Sequence, residues 1–151
     1  MNLTAKQNKC LEIMEKSYFV ELTTINSKGF PSTRAMLNLR NKNLYPNLLS
    51  MYEEEENPLT VYLTTNTDSE KIKEIEGNGR ACLYYCEPGS FLGITLQGLV
   101  EHVTDKEFKR RVWQEEWEKY YPKGDDDYSV LLFIPFKLKM YSDFQVIAEE
   151  V

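Results

Sequence analysis

The stretch Thr65-Asn66-Thr67-Asp68-Ser69-Glu70-Lys71 joins an apolar, β-rich run at residues 59–63 to a helical pattern that begins near Ile72. We therefore expect it to lead from the end of a strand into the first turn of a helix. The first backbone N–H groups of a helix lack partners within the helix, and the helix dipole favours negative charge there. Threonine and serine hydroxyls and the lysine ammonium add hydrogen-bond donors. This combination is typical of a phosphate-binding site.

A second interpretation of the same residues is a capped helix that holds no ligand. Thr67 and Glu70 have the spacing of a capping box, in which each side chain accepts a hydrogen bond from the other residue's backbone N–H. Asp68 and Glu70 also place negative charge where a phosphate would be repelled. The local sequence leaves both interpretations open.

The composition is typical of a globular protein. The chain has 151 residues, of which 42% are hydrophobic, so we expect one domain over residues 1–151. The net charge of -6 argues against nucleic acid as a partner, which would need basic residues in excess. The longest apolar run, residues 130–136, is too short to cross a membrane, and the first residues do not form a signal peptide. Cys10, Cys82 and Cys86 are odd in number and lack metal-site spacing, which favours the reducing cytoplasm.

Strand patterns dominate the chain, and several of them are joined by connections too short for parallel pairing. Strands are predicted at residues 18–25, 32–39, 59–65, 80–86, 91–103 and 130–147, the last with a bend at Pro135. Helices are predicted at residues 4–17, 47–55, 68–76 and 104–121. This order predicts an α+β fold, a six-stranded antiparallel split β-barrel with peripheral helices.

Three segments, taken in their order and spacing, match the pattern of a known family. They are residues 23–31 (TTINSKGFP), which form a hairpin with a polar turn, Arg34-Ala35-Met36 on the next strand, and residues 64–71 (TTNTDSEK). Together they resemble the FMN-binding split barrel of the pyridoxamine 5'-phosphate oxidase-like proteins, and most of all its small general-stress-protein branch. The resemblance implies an FMN cofactor and a homodimer with the flavin site at the subunit interface.

The resemblance also implies which residues bind the cofactor. Arg34 and Lys71 would be the phosphate cations and Ser69 a hydroxyl donor, while Thr65 and Asn66 would face the ribityl chain or the polar edge of the flavin ring. The strand after Arg34 would offer backbone groups to the flavin ring. The expected cofactor-binding residues are Arg34, Ala35, Met36, Leu37, Thr64, Thr65, Asn66, Ser69, Lys71 and Trp113.

The alternation along the second strand adds an expectation about Arg34. Thr33, Ala35, Leu37 and Leu39 share one face, which we expect to be the core, so Arg34 would point away from the core toward a ligand. Trp113 belongs to an aromatic pattern at helical spacing. That pattern fits core or dimer packing, or a lid over the flavin.

Two departures separate the chain from the larger oxidases of that family. Those enzymes carry a glutamine where Gly93 stands here, and an arginine–histidine pair near the C-terminus for pyridoxal-type substrates. This chain has no arginine after Arg111, and its only histidine is His102, which we read as a structural residue. We therefore do not expect pyridoxamine phosphate oxidation. Small members often end in a Tyr-Trp pair, where this chain has Tyr141-Ser142.

The function implied by the resemblance is that of an FMN flavoprotein. It would transfer electrons from NAD(P)H to a small-molecule acceptor such as a quinone, a nitro compound or a free flavin. The flavin carries the redox chemistry, and no residue stands out as a dedicated acid or base, so the catalytic residues stay unassigned. The alternatives are a non-catalytic flavin-binding or stress-sensing module, and a cofactor-free dimeric barrel that binds other proteins. A deazaflavin or haem could replace FMN in such a fold, although a lone histidine argues against haem.

Overall fold

An antiparallel sheet forms the body of the protein. The computed structural model describes residues 2–142 and 144–151. Its strands are β1 (Phe19–Ile25), β2 (Pro31–Leu37), β3 (Val61–Asn66), β4 (Arg80–Cys86), β5 (Gly93–Val103), β6 (Tyr128–Ser142) and β7 (Gln145–Glu150). Its helices are α1 (Ala5–Lys16), α2 (Leu49–Glu53), α3 (Glu70–Gly77) and α4 (Lys106–Val112), with 3₁₀ turns at Pro46–Leu48, Glu115–Lys119 and Gly124–Asp126.

The sheet curls on itself without closing. Its strands follow the order β2-β1-β4-β5-β6-β3, with β7 paired to β6. The two strands at the ends of this order, β2 and β3, lie next to each other but share no backbone ladder in the described ranges. We call the seam between them the split. The predicted α+β split-barrel fold is confirmed.

The strand count differs from the expected six. Residues 130–147, expected to be one bent strand, form most of two antiparallel strands, β6 and β7, that pair from Lys137↔Glu150 to Ser142↔Gln145. The chain reverses beside Phe144, whose φ of 63° lies in the left-handed region that few non-glycine residues adopt. The sequence between the two strands contains no glycine or proline, so the sequence pattern alone did not reveal the reversal.

Pro135, the expected site of a bend, lies inside β6 at a β-bulge. Its partner is Gly98 on β5, and the register between the two strands shifts between Gln97 and Gly98. A Cβ at Gly98 would collide with the backbone carbonyl of Ile134. Proline has no N–H to give to a ladder, and a bulge is one of the places where a strand tolerates it.

Two hydrophobic clusters make up the core. The first fills the concave side of the sheet and is capped by α1 and α3. It includes Met14, Leu22, Leu63, Ile72, Leu83, Leu96 and Phe133. The second lies on the other face of β3 and β6 and is rich in aromatic rings. It includes Tyr45, Tyr52, Tyr62, Trp117, Tyr121 and Tyr128. Among the described residues, the sheet is therefore buried on both faces where β3 and β6 run.

The helix expected at residues 104–121 is shorter and begins differently. It spans only Lys106–Val112, and Asp105 caps it by accepting a hydrogen bond from the Phe108 N–H at 2.8 Å. Residues 115–119 instead form a 3₁₀ turn that seats Trp117 in the second cluster. No helix of the described residues is long and apolar enough to cross a membrane.

Candidate functional site

A lysine held by two hydroxyl groups marks the start of α3. The Lys71 Nζ lies 2.8 Å from Thr65 Oγ1, at the end of β3, and 2.7 Å from Ser69 Oγ. Ser69 is the N-cap residue of α3, but its side chain makes no capping hydrogen bond. The Thr67–Glu70 capping box is therefore wrong, and the Thr67 hydroxyl pairs with Ser129 Oγ at 2.9 Å. The Ser69 hydroxyl is oriented by Lys71 rather than by the helix.

The charge on Lys71 is poorly compensated. Burial lowers the pKa of Lys71, the nearby positive charge of Arg34 lowers it further, and Glu74 opposes both effects. Within residues 2–142 and 144–151, no carboxylate lies within ion-pair distance of Lys71. A lysine ammonium has three N–H donors, and the two hydroxyls use two of them. Lys71 therefore keeps one donor and an unneutralised charge for an anion.

Arg34 is placed on the opposite face from the one that its sequence pattern indicated. Met36, two residues along β2, is 8% exposed, whereas Leu37 is 42% exposed. Arg34 and Met36 therefore share the concave face, and Thr33, Ala35 and Leu37 point outward. Alternation separates the two faces of a strand, but it does not say which face the rest of the sheet will cover.

The Arg34 guanidinium is held by several groups of its own chain. It donates from Nη1 to Thr24 Oγ1 at 2.6 Å and from Nη2 to Ser32 Oγ at 3.2 Å. Its Nη2 also lies 3.1 Å from Glu74 Oε2, on α3. The Thr24 hydroxyl donates to that same carboxylate oxygen in a short hydrogen bond. The sequence did not predict Thr24, Ser32 and Glu74 as partners of Arg34. Glu74 could have been suspected from its spacing alone, because it stands three residues after Lys71 and so lies on the same face of α3.

The structure brings Arg34, Thr65, Ser69 and Lys71 together where α3 begins, beside the split. Because β2 pairs only with β1 and β3 only with β6 in the described ranges, each keeps one edge without a ladder partner. Backbone groups near Ala35, Met36 and Leu37 thus border the split. Next to Arg34, a cleft of about 850 Å³ is lined by the β1–β2 turn, Ser32 and one side of α3.

Two of the expected residues, Thr64 and Trp113, lie away from Lys71. Thr64 and Thr65 are neighbours on β3, so their side chains lie on opposite faces. Thr64 is buried, and Asn66 is exposed at the strand's end. Trp113 packs in the second cluster, with its ring centroid 5.0 Å from that of Tyr128 and 6.2 Å from that of Trp117. Trp113 therefore lies in the aromatic packing arrangement and not beside Lys71.

His102 is linked through Ser129 to the loop that precedes α3. Its Nε2 lies 3.1 Å from Ser129 Oγ, which in turn contacts Thr67 in the loop before α3. Its Nδ1 lies 3.6 Å from a carboxylate oxygen of Glu76. With both ring nitrogens occupied in this way, His102 fits the structural role expected from the sequence.

Comparison with known proteins agrees with this geometry. The family model described as pyridoxamine 5'-phosphate oxidase matches residues 7–142. The chain belongs to the pyridoxamine 5'-phosphate oxidase family. The resemblance drawn from three short segments is thereby confirmed. No curated protein matches this member of the family at a significant level.

Solved structures extend the family match to the whole fold. A protein related to general stress protein 26 from Clostridium acetobutylicum is 26% identical, with a TM-score of 0.76 over 95% of this chain and 93% of its own. A pyridoxamine 5'-phosphate oxidase-related, FMN-binding protein from Nostoc punctiforme is 12% identical, with a TM-score of 0.68 over 100% of this chain and 99% of its own. A heme-binding protein from Mycobacterium smegmatis is 14% identical, with a TM-score of 0.71 over 99% of this chain and 60% of its own. The last two share the fold alone.

The surroundings of Gly93, where the sequence resemblance implies a departure from the larger oxidases, leave little room for a side chain. A Cβ at this position would lie 2.7 Å from the hydroxyl oxygen of Tyr84 and 3.1 Å from two of its ring carbons. The Tyr84 ring therefore covers the backbone where a larger side chain would stand. A glutamine would fit here only if that ring moved.

Proposed function

We propose that the protein binds FMN, with the phosphate at the start of α3 and the rest of the cofactor along the split. Lys71 gives its remaining N–H to the phosphate, and Ser69 and Thr65 add hydroxyl groups around it. The observation that carries the proposal is the half-buried Lys71, which is oriented by two hydroxyls at 2.7 and 2.8 Å and has no carboxylate partner among the described residues. Burying a cation in this way is costly unless an anion arrives to compensate it.

Electrostatics favours a doubly charged phosphate in this place. Arg34 and Lys71 are close enough for the arginine charge to lower the pKa of the lysine, so the two cations repel each other. A phosphate between them replaces that repulsion with two attractions. The N-terminus of α3 contributes backbone N–H groups and the positive end of its dipole. Hydrogen bonds to charged groups contribute about 1.5–3 kcal/mol each.

The flavin ring and ribityl chain have a matching place beside the phosphate. The unpaired edge of β2 offers backbone groups near Ala35, Met36 and Leu37, and Asn66 stands at the end of β3 on the other side of the split. Thr64 and Trp113 would not contact the cofactor in this arrangement, because Thr64 is buried on the opposite face of β3 from Thr65 and Trp113 packs in the second cluster. The Nostoc punctiforme neighbour, described as FMN-binding, supports the choice of cofactor.

The proposed assembly is a homodimer with the flavin at its interface. Phe19 and Leu37 are partners across β1 and β2, and they are 49% and 42% exposed on the convex side of the sheet. Phe91 and Val146 extend this side, at 95% and 61% exposed. An apolar surface of this kind is typical of an interface. A second subunit would cover it and would also shield the nearby split from water.

The proposed activity is electron transfer from NAD(P)H to a small acceptor, without pyridoxamine phosphate oxidation. Bound FMN would supply the redox chemistry, and the protein would bind it, orient it and limit access to it. His102 is occupied by Ser129 and Glu76, which does not suit a substrate-binding or haem-ligating role. The three cysteines are free thiols, which supports a location in the reducing cytoplasm.

An absorbance spectrum of the purified protein, incubated with FMN and desalted, tests the proposal. Retained flavin bands support it, and consumption of NAD(P)H with a quinone, nitro compound or free flavin then establishes turnover. Flavin binding without turnover favours the non-catalytic module. A Soret band with added haem and no flavin binding would replace FMN by haem. A protein that binds neither would favour another ligand or the interaction barrel.

A further inference from the structure

The Arg34 guanidinium is nearly saturated by its own chain. Its Nη1 also lies 3.4 Å from the Leu22 carbonyl oxygen, in addition to Thr24 Oγ1, and its Nη2 contacts Ser32 Oγ and Glu74 Oε2. A guanidinium has five N–H donors, so in the described part of the chain only the Nε donor has no acceptor. Arg34 therefore cannot form the two-pronged contact that arginine makes with phosphate unless it releases Glu74 or Ser32.

We infer that Glu74 restrains the affinity of this site for phosphate, and that Lys71 is its principal cation. The inference rests on the proposed function, because it concerns the same phosphate pocket. Glu74 is 12% exposed and anchored by Thr24, so its carboxylate stays beside Arg34. It neutralises one of the two cations and adds a negative charge that repels an incoming dianion. Arg34 then contributes to phosphate binding mainly through its nearby charge and its Nε donor.

The position of Glu74 on α3 places its carboxylate near both cations of the proposed phosphate site. Residues three apart on a helix are neighbours on one face, so Glu74 lies beside Lys71 as well as beside Arg34. Its charge is among those that act on the pKa of Lys71. Removing this charge would take away the carboxylate that lies against Arg34, while Asp68 and Glu70 remain in the loop and first turn of α3. The site would then attract a phosphate more strongly.

The test is Glu74→Gln, titrated with FMN, with riboflavin and with inorganic phosphate as a competitor. Glutamine keeps the length of the side chain and an oxygen that accepts the Thr24 hydrogen bond. We expect the Kd for FMN to fall about tenfold, the order expected when one charge within several Å of a dianion is removed near a protein surface. The Kd for riboflavin, which lacks the phosphate, should change less than about twofold. The inhibition constant of inorganic phosphate, obtained from its competition with FMN, should also fall below that of the native protein.

Three further variants separate charge from shape. Glu76→Gln makes the same charge change two residues further along α3, at a side chain that is 61% exposed, and should leave the FMN Kd unchanged. Glu74→Asp keeps the charge and should stay close to the native Kd. Glu74→Met removes the charge without adding an amide, and it replaces Glu74→Gln in the test if that variant does not fold.

The outcomes distinguish this inference from the proposed function. If the native protein binds no FMN, both fail. If it binds FMN through Lys71 but neutralising Glu74 leaves the affinity unchanged or weakens it, the restraint is overturned and the FMN site stands. Weaker FMN binding with unchanged riboflavin binding would identify Glu74 as a residue that positions Arg34. A selective gain for FMN over riboflavin, absent in Glu76→Gln, supports the inference.

Discussion

Replacing Lys71 with alanine tests the phosphate site most directly. The substitution removes one charge-assisted hydrogen bond to the phosphate, a contact that contributes about 1.5–3 kcal/mol. We therefore expect FMN to bind about 10- to 150-fold more weakly, since each 1.4 kcal/mol corresponds to a tenfold change in Kd. Thr65 and Ser69 each lose a donor, and Thr65 is only 6% exposed, so its hydroxyl has little access to water. The cost in stability should therefore be about 1–3 kcal/mol.

The assay is a fluorescence titration with FMN and with riboflavin, run in parallel. Riboflavin has the same ring and ribityl chain without the phosphate, so its affinity for Lys71→Ala should match its affinity for the native protein. Lys106→Ala is the matched control, because it removes the same charge from an exposed position on α4, outside the cleft beside Arg34. An equal loss for both ligands, or an unchanged FMN affinity, would refute the assignment of the phosphate to Lys71.

Three other predictions follow from the structure. Arg34→Ala should destabilise the protein by about 2 kcal/mol in denaturant unfolding, because it leaves the Glu74 carboxylate partly buried without its cation; no loss would mean that the pair contributes nothing. Gly98→Ala should cost about 1–3 kcal/mol, since its Cβ would collide with the Ile134 carbonyl at the bulge, and a native melting temperature would contradict this. FMN affinity should fall with rising pH before the usual lysine pKa of 10.5 is reached, because Lys71 must be protonated to bind phosphate and its pKa is lowered in the free protein. Riboflavin affinity should not show this fall, and a parallel fall for both ligands would point to another group.

The recognition of the family needed only short segments. Residues 64–71 combine a strand end, hydroxyl side chains and a lysine at the start of a helix, and each of these is a local property. The β1–β2 hairpin was also readable, because Asn26 and Gly29 are turn-forming residues and Gly29 indeed adopts a positive φ of 83°. Such local features are set by neighbours along the chain, so the tertiary structure changes them little.

The predicted elements were wrong where contacts between residues distant in sequence determine the structure. The face of β2 was assigned by the apolarity of Ala35 and Leu37, but α3 lies on the concave side and brings Glu74 to Arg34 there. The reversal between β6 and β7 was hidden because no glycine or proline stands between the two strands. The predicted helix at 104–121 ended early because Trp117 is seated by aromatic rings from other parts of the chain.

The sequence by itself indicated the family, the first five strands, and the position of Thr65, Ser69 and Lys71 where a strand leads into a helix. These depend on hydrophobic period, turn residues and spacing, which are written along the chain. Only the tertiary structure decided that Arg34 faces the concave side of the sheet and that Thr24, Ser32 and Glu74 bind its guanidinium. It also decided that Trp113 packs in the second cluster, away from Lys71. The reason is physical: the partners of a half-buried charge are chosen by three-dimensional proximity, and Glu74 lies forty residues from Arg34 along the chain.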